Sequence, residues 1–270
     1  MYNERSFFKR LGRKPPSRLQ TTGFHFLEGC SRMCLVFISI QTDGKGPVMI
    51  GANREESRLR PTTSPVCCRR RGLRCLLAGA DHGPDGTFPE MGTWLGVNEA
   101  GMAIAVTNRH DGELAWADQT RSRGLLAVEL IGNVQPERAI EAAKHELARG
   151  GYGGCNFLIA NRDRAFVIEA PGPAHISVCR LQSGIHAMTN LDLDDQADAR
   201  IQLVRTTLDA LNFAESARRL CRDERIVVSG ANHGTISSSV ILASHDVVLF
   251  HKDGDSRTVD YQEFRLLDPD

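Results

Sequence analysis

From residue 34 onward, short and nearly continuous apolar runs alternate with clusters of Gly, Asn, Asp and Pro. The first run, 34–41, is followed by Asp43-Gly44-Lys45-Gly46-Pro47 and then by a second run at 48–52. Two strand-like runs around Asp-Gly punctuation read as a β-hairpin. A polar, proline-bearing loop at 57–65 and a basic stretch at 67–74 come next. The runs at 93–97 and 102–106, joined by Asn98-Glu99-Ala100-Gly101, read as another hairpin. A helical period then appears at 125–131 and 136–149, the second opening on Pro136 with Ala139, Ile140, Ala143 and Leu147 on one face. Strand signals return at 156–160, 165–170, 175–181 and 185–189. Ile201, Val204, Leu208 and Leu211 give 197–211 a helical face, and 214–222 continues in that style. Strand candidates at 237–242 and 247–251 close the pattern. Antiparallel strands around a central helical section predict an α+β fold: two sheets face to face, with helices on their outer faces.

Composition narrows what such a fold does. Lys+Arg and Asp+Glu balance at 33 each, so no global charge points to nucleic acid or an anionic membrane. Eight cysteines scatter without paired spacing, which suits a reducing compartment and predicts a cytoplasmic protein. No apolar run approaches the ~20 residues of a membrane span. Residues 1–33 differ in kind: seven basic residues stand against Glu4 and Glu28, around Pro15-Pro16. That segment reads as a removable or unused extension, with organellar targeting an alternative, and 34–270 reads as one domain.

The junction Met33-Cys34 carries the first chemical suggestion. A cysteine exposed by removal of everything before it has a thiol nucleophile and its own α-amine as base. The amine's pKa, roughly 8, lies far closer to neutrality than that of lysine. An ordinary strand cysteine behind an internal methionine is the plain alternative.

A set of ordered motifs bears on that choice: Cys34-Leu35-Val36-Phe37, Gly51-Ala52-Asn53-Arg54-Glu55-Glu56, Arg60-Pro61-Thr62, Gly92-Thr93-Trp94-Leu95-Gly96-Val97, Thr107-Asn108-Arg109, Ser122-Arg123-Gly124 and 156–161. Together they resemble the NRDE family, also called the transport and Golgi organisation protein 2 family. Where the family name implies Asn-Arg-Asp-Glu, this chain has Asn53-Arg54-Glu55-Glu56, its acid one methylene longer. Gly96-Val97-Asn98-Glu99-Ala100-Gly101-Met102 and His186-Ala187-Met188-Thr189-Asn190 are also similar to motifs of cysteine-type N-terminal-nucleophile amidohydrolases. That likeness implies a four-layer αββα sandwich.

The resemblance also implies roles. Cys34 would be the nucleophile, with Arg54 beside its thiolate and Glu55, or less so Glu56, anchoring the amine. The Asn190 amide and the Asn108 backbone N–H would face the oxyanion, and Arg200 would be a further charged member. Such a site hydrolyses a linear amide or related acyl bond with no metal or organic cofactor. The competing reading is a non-catalytic carrier of a small molecule, haem or an acyl or lipid species. Read as residues alone, Arg54 with its two acids is a strand-end ion-pair cluster, Asn108 and Asn190 satisfy turns, and Arg200 is an ion-paired helix residue. Cys67, Cys68, Cys75 and His82 lack zinc-site spacing, and Arg69-Arg70-Arg71 with Arg74 reads as a solvated basic patch.

Overall fold

The computed structural model describes residues 34–41, 46–60, 62–80, 92–112, 120–244, 246–255 and 257–266. The basic segment at 1–33 and His82 lie outside them.

Strand β1 (Leu35–Ile40) forms the predicted hairpin with β2 (Val48–Ser57). Side chains alternate faces along a strand, so β1 divides its apolar residues between two cores. Val36 and Ile38 enter the larger core, and Leu35 and Phe37 enter a smaller one with Ile201, Val204 and Phe213. Both faces are covered, which is why this run is apolar throughout rather than alternating. Phe37 is completely buried and its ring centroid lies 6.2 Å from that of Phe213; truncating such a side chain typically costs about 3–5 kcal/mol.

One antiparallel sheet has the strand order β10-β1-β2-β11-β12-β13, the outer members being β10 (Gly184–Met188), β11 (His233–Ala243), β12 (Val247–Asp253) and β13 (Gln262–Leu266). The other runs in simple chain order from β3 (Val66–Arg70) through β4 (Leu73–Ala78), β5 (Leu95–Asn98), β6 (Ala103–Asn108), β7 (Cys155–Ala160) and β8 (Ala165–Gly172) to β9 (His175–Arg180). Helices α1 (Arg123–Leu130) and α2 (Pro136–Ala148) pack on this second sheet. Helices α3 (Ala199–Thr207) and α4 (Phe213–Leu220) pack on the first. The result is the αββα sandwich that the strand and helix pattern predicted.

Besides β13, which no apolar run marks, three segments differ from the sequence reading. The basic stretch at 67–74 is a hairpin: Arg71 and Gly72, with φ of 49° and 88°, make the two-residue turn joining β3 to β4. Helix α3 stops at Thr207 because the Asp209 carboxylate accepts from the backbone N–H groups of Leu211 and Asn212, at 2.9 and 3.3 Å. This Asx turn competes with a further helical turn and leaves Leu211, expected on the apolar face, 99% exposed. Strand β11 begins at His233 rather than 237, with a register shift between Thr235 and Ser237.

Candidate active site

The pairing of Leu35 with Asn53 continues outward to set Cys34 opposite Arg54. The two side chains therefore share one face, the face of Val36, Ile38 and Ala52 that looks toward the second sheet. Arg54 is 3% exposed and is held there by Thr62 Oγ1 at 2.9 Å and the Gly79 carbonyl at 3.4 Å. Gly79 permits that approach. Its φ is +59°, and a Cβ there would lie 2.7 Å from Trp94 Nε1 and 3.3 Å from Arg54 Nη1.

The neighbouring residues of the tetrad take the other face. Asn53, fully buried, donates to the Cys221 carbonyl at 3.1 Å and accepts from Ser238 Oγ at 2.6 Å, tying β2 to the end of α4 and to β11. Glu55 is 1% exposed, with Oε1 accepting from Thr235 Oγ1 at 3.0 Å. Its second oxygen, Oε2, is buried without a hydrogen-bond partner. Burial pushes the Glu55 carboxyl up to about 8, against the Arg200 charge, the Thr235 hydroxyl and the Leu35 N–H, which favour ionisation. At neutrality it is mostly protonated.

Cys34 is half-buried, and its thiol lies 3.8 Å from the Glu55 carbonyl. Burial first, then the Glu55 charge, pushes the thiol up to about 12. Because Glu55 itself is largely neutral at pH 7, the second effect acts only at higher pH. Within an unbroken Met33-Cys34 peptide the sulfur is thus a poor nucleophile near neutrality.

Cys34, Arg54, Glu55 and Asn108 border one cavity of about 370 Å³, within the usual size of a small-molecule site. Glu56, Arg60, Thr93, Trp94 and the 120–124 segment complete its described walls. Val106 N–H donates to the Trp94 carbonyl, so by strand alternation Asn108 presents its N–H on the same edge of β6, away from β7. Asn190 is not in the wall. It is 3% exposed and donates through Nδ2 to the Asn108 carbonyl at 2.8 Å, which uses one of its two N–H groups. Arg200 is also outside the wall, at the start of α3, with its guanidinium on Asp198 at 2.9 Å and its charge acting on Glu55.

Sequence reasoning gave no site role to Trp94, Arg60, Arg121 or Arg123. For Trp94, Arg60 and Arg123 the only signal was that their motifs belong to the ordered set around Cys34; Arg121 lies in none of them. Separations of 26 to 89 residues from Cys34 vanish when β5 and α1 fold onto the cleft. No described helix is long and apolar enough to cross a membrane.

Comparison with known proteins agrees with this architecture. The chain is similar in structure to a mutant of conjugated bile acid hydrolase from Clostridium perfringens, at 12% identity and a TM-score of 0.51, covering 87% of this chain and 92% of that one. It is also similar to the Caenorhabditis elegans ortholog of N-acylethanolamine-hydrolyzing acid amidase, at 14% identity and a TM-score of 0.55, covering 77% and 92%. At such identities the likeness establishes the N-terminal-nucleophile hydrolase-like fold. No curated protein matches the chain significantly in sequence. The family model for Transport and Golgi organisation 2 matches residues 33–228, from the residue before Cys34 to the loop preceding β11. With most of its length inside that match, the chain belongs to the Transport and Golgi organisation 2 family.

Proposed function

We propose that the protein is a cysteine-nucleophile amidohydrolase that acts on a linear amide or related acyl bond once Cys34 is the first residue. The observation that supports this most directly is the cross-strand placement of Cys34 and Arg54 on one wall of the cavity, with a buried, half-satisfied carboxyl next to the Leu35 N–H. Release of Met33 supplies an α-amine next to Glu55, whose orphaned Oε2 is a ready acceptor for it. The neutral amine donates an N–H to that oxygen, and the ionised carboxylate stabilises the ammonium that forms when the amine takes up a proton.

In the reaction, the amine takes the Cys34 thiol proton as sulfur attacks the acyl carbon. Arg54 stabilises the sulfur's negative charge. The Asn108 N–H is the donor available to the oxyanion, one such donor being worth about 3–4 kcal/mol. Collapse breaks the carbon–nitrogen bond, the proton passes to the leaving amine, and a thioester remains on Cys34. Water then releases the acid and returns the proton to sulfur.

A second reading is favoured by the raised Cys34 thiol. If Met33 stays attached, the cavity serves as a binding site, and the protein is a carrier of haem or an acyl or lipid molecule. Intact-mass analysis of natively expressed protein separates the two. A chain starting at Cys34, acylated there by a reactive acyl ester and labelled by iodoacetamide at pH 7 faster than exposed Cys179, supports the hydrolase. A retained Met33, with Cys34 labelled no faster than Cys179, leaves the carrier.

A further inference from the structure

The β3–β4 hairpin takes no part in the proposed reaction, yet it carries Cys67, Cys68 and Cys75. Its two-residue turn fixes a register in which Cys68 lies directly opposite Cys75. Side chains directly across an antiparallel pair leave the same face of the sheet. Here that face looks into the larger core, where Cys68 is 9% exposed and Cys75 is fully buried. Cys67 precedes Cys68 on the strand, points the other way and is exposed. All three thiols are free.

Residues directly opposite in an antiparallel pair have Cα atoms about 4.5–5.5 Å apart, and a disulfide spans roughly 4.4–6.8 Å. The bond can therefore close without undoing the strand pairing. Strand β3 is the outer member of its sheet, which leaves Cys68 at an edge that a small oxidant can reach. Other strand cysteines face different residues: Cys155 lies opposite Asn108 and Ala170, and Cys179 opposite Val167. Reactivity differs as well. The Cys75 thiol, as hydrogen-bond donor, draws Cys68 down to about 7; burial opposes this and the Arg70 charge assists it. Burial instead pushes Cys155 and Cys221 up to about 12. The thiolate is the form that a peroxide oxidises.

We propose that Cys68 and Cys75 are a redox dithiol, closed to an intramolecular disulfide by hydrogen peroxide and reopened by a thiol reductant. The Cys68 thiolate attacks the O–O bond, taking one oxygen as a sulfenic acid while the other leaves as water after protonation. The Cys75 sulfur then attacks the Cys68 sulfur. The S–O bond breaks, and the sulfenic hydroxyl leaves as a second water with the Cys75 proton. In sum, two thiols and one peroxide become one disulfide and two waters. The site bears on the cleft because the hairpin is the arm between the two groups that hold Arg54. Thr62 lies before β3 and Gly79 after β4, and the Thr63 N–H closes the base of the arm on the Ala80 carbonyl at 3.1 Å. The proposal is independent of whether Cys34 is the first residue.

The test is peptide mapping of the folded, reduced chain after hydrogen peroxide treatment at pH 7 and alkylation of the remaining thiols. Trypsin cuts after Arg69 and Arg74, so the bond joins the peptide ending at Arg69 to the one starting at Cys75. That linked pair is expected, two hydrogens lighter than the separate peptides, with fragment ions placing the bond on Cys68. It should persist in Cys67→Ser, fall about 10-fold or more in Cys68→Ser, and disappear on treatment with dithiothreitol. Cys155 and Cys221 should remain thiols. The fragment ions and Cys67→Ser decide even if Cys68→Ser fails to fold. A bond on Cys67, absence of the linked pair, or oxidation of Cys155 or Cys221 as fast as Cys68 overturns the proposal. The oxidised chain is also expected to unfold at a urea midpoint no lower than the reduced one, since closing the loop at 68–75 restricts the unfolded state. A lower midpoint would show that the bond forms at the expense of the native pairing, and overturns the proposal too.

Discussion

Replacing Glu55 with glutamine tests the electrostatics of the site through stability alone. In the folded chain burial lifts this carboxyl from the ordinary 4.5 to about 8. Between those values the unfolded chain has released the proton and the folded chain retains it, so folded stability falls as pH rises through that window. The contribution is complete below pH 4.5 and gone above about 8. At about 1.36 kcal/mol per pH unit the loss is capped at roughly 5 kcal/mol. The residue is 1% exposed, so solvent screening removes little of it. Glutamine keeps the shape and cannot ionise. Urea midpoints at pH 5, 7 and 9 should therefore move in the variant's favour, relative to the unaltered chain, by several kcal/mol from the lowest pH to the highest. The lowered pKa of Lys252, at about 8, affects both proteins alike and cancels in the difference. In a chain starting at Cys34 the new α-amine favours the ionised Glu55 carboxylate and pulls its pKa down, so the swing should shrink. A difference constant with pH to within the roughly 10–15% extrapolation uncertainty would refute the assigned burial of this carboxyl.

Two further substitutions probe how the cleft is held. Gly79→Ala places a Cβ 2.7 Å from Trp94 Nε1 at a φ of +59°, and should destabilise the fold by about 1–3 kcal/mol in urea titration. It should also displace Arg54, seen as a slower acylation of Cys34 in the chain that starts there. Asn53→Ala strips partners from the buried Cys221 carbonyl and Ser238 hydroxyl, for an expected loss of about 2–4 kcal/mol; a loss below about 0.5 kcal/mol would mean that water replaces the amide at no cost.

Much of the fold was legible because apolar runs and turn residues agree. The β1–β2 hairpin follows from its run lengths and Asp-Gly turn, and Cys34 opposite Arg54 follows from that register. The β3–β4 hairpin was hidden because Arg69, Arg70 and Arg74 outweigh its buried Cys68 and Cys75 in any reading of polarity. Strand β13, Gln-Glu-Phe-Arg-Leu, lies at a sheet edge with three of its five residues exposed, so no apolar run marks it. Within the site, Asn190 was expected to face the oxyanion and Arg200 to be a further charged member. The first supports Asn108 and the second acts on Glu55 from the helix side, distinctions that depend on which way a loop and a helix turn. Arg121 and Arg123 carry no local sign of their position, because only the packing of α1 against β5 and β6 brings them to the cleft.

The pleat of β2 makes the tetrad a two-sided device. Arg54 and Glu56 look into the cleft, whereas Asn53 and Glu55 grip β11 and the layer of α3 and α4. Inherited or engineered changes at adjacent letters should consequently produce unlike defects. Lesions at the first letter would deplete folded protein and resist correction by ligand. Those at the second and fourth would leave abundant, well-folded and inert protein.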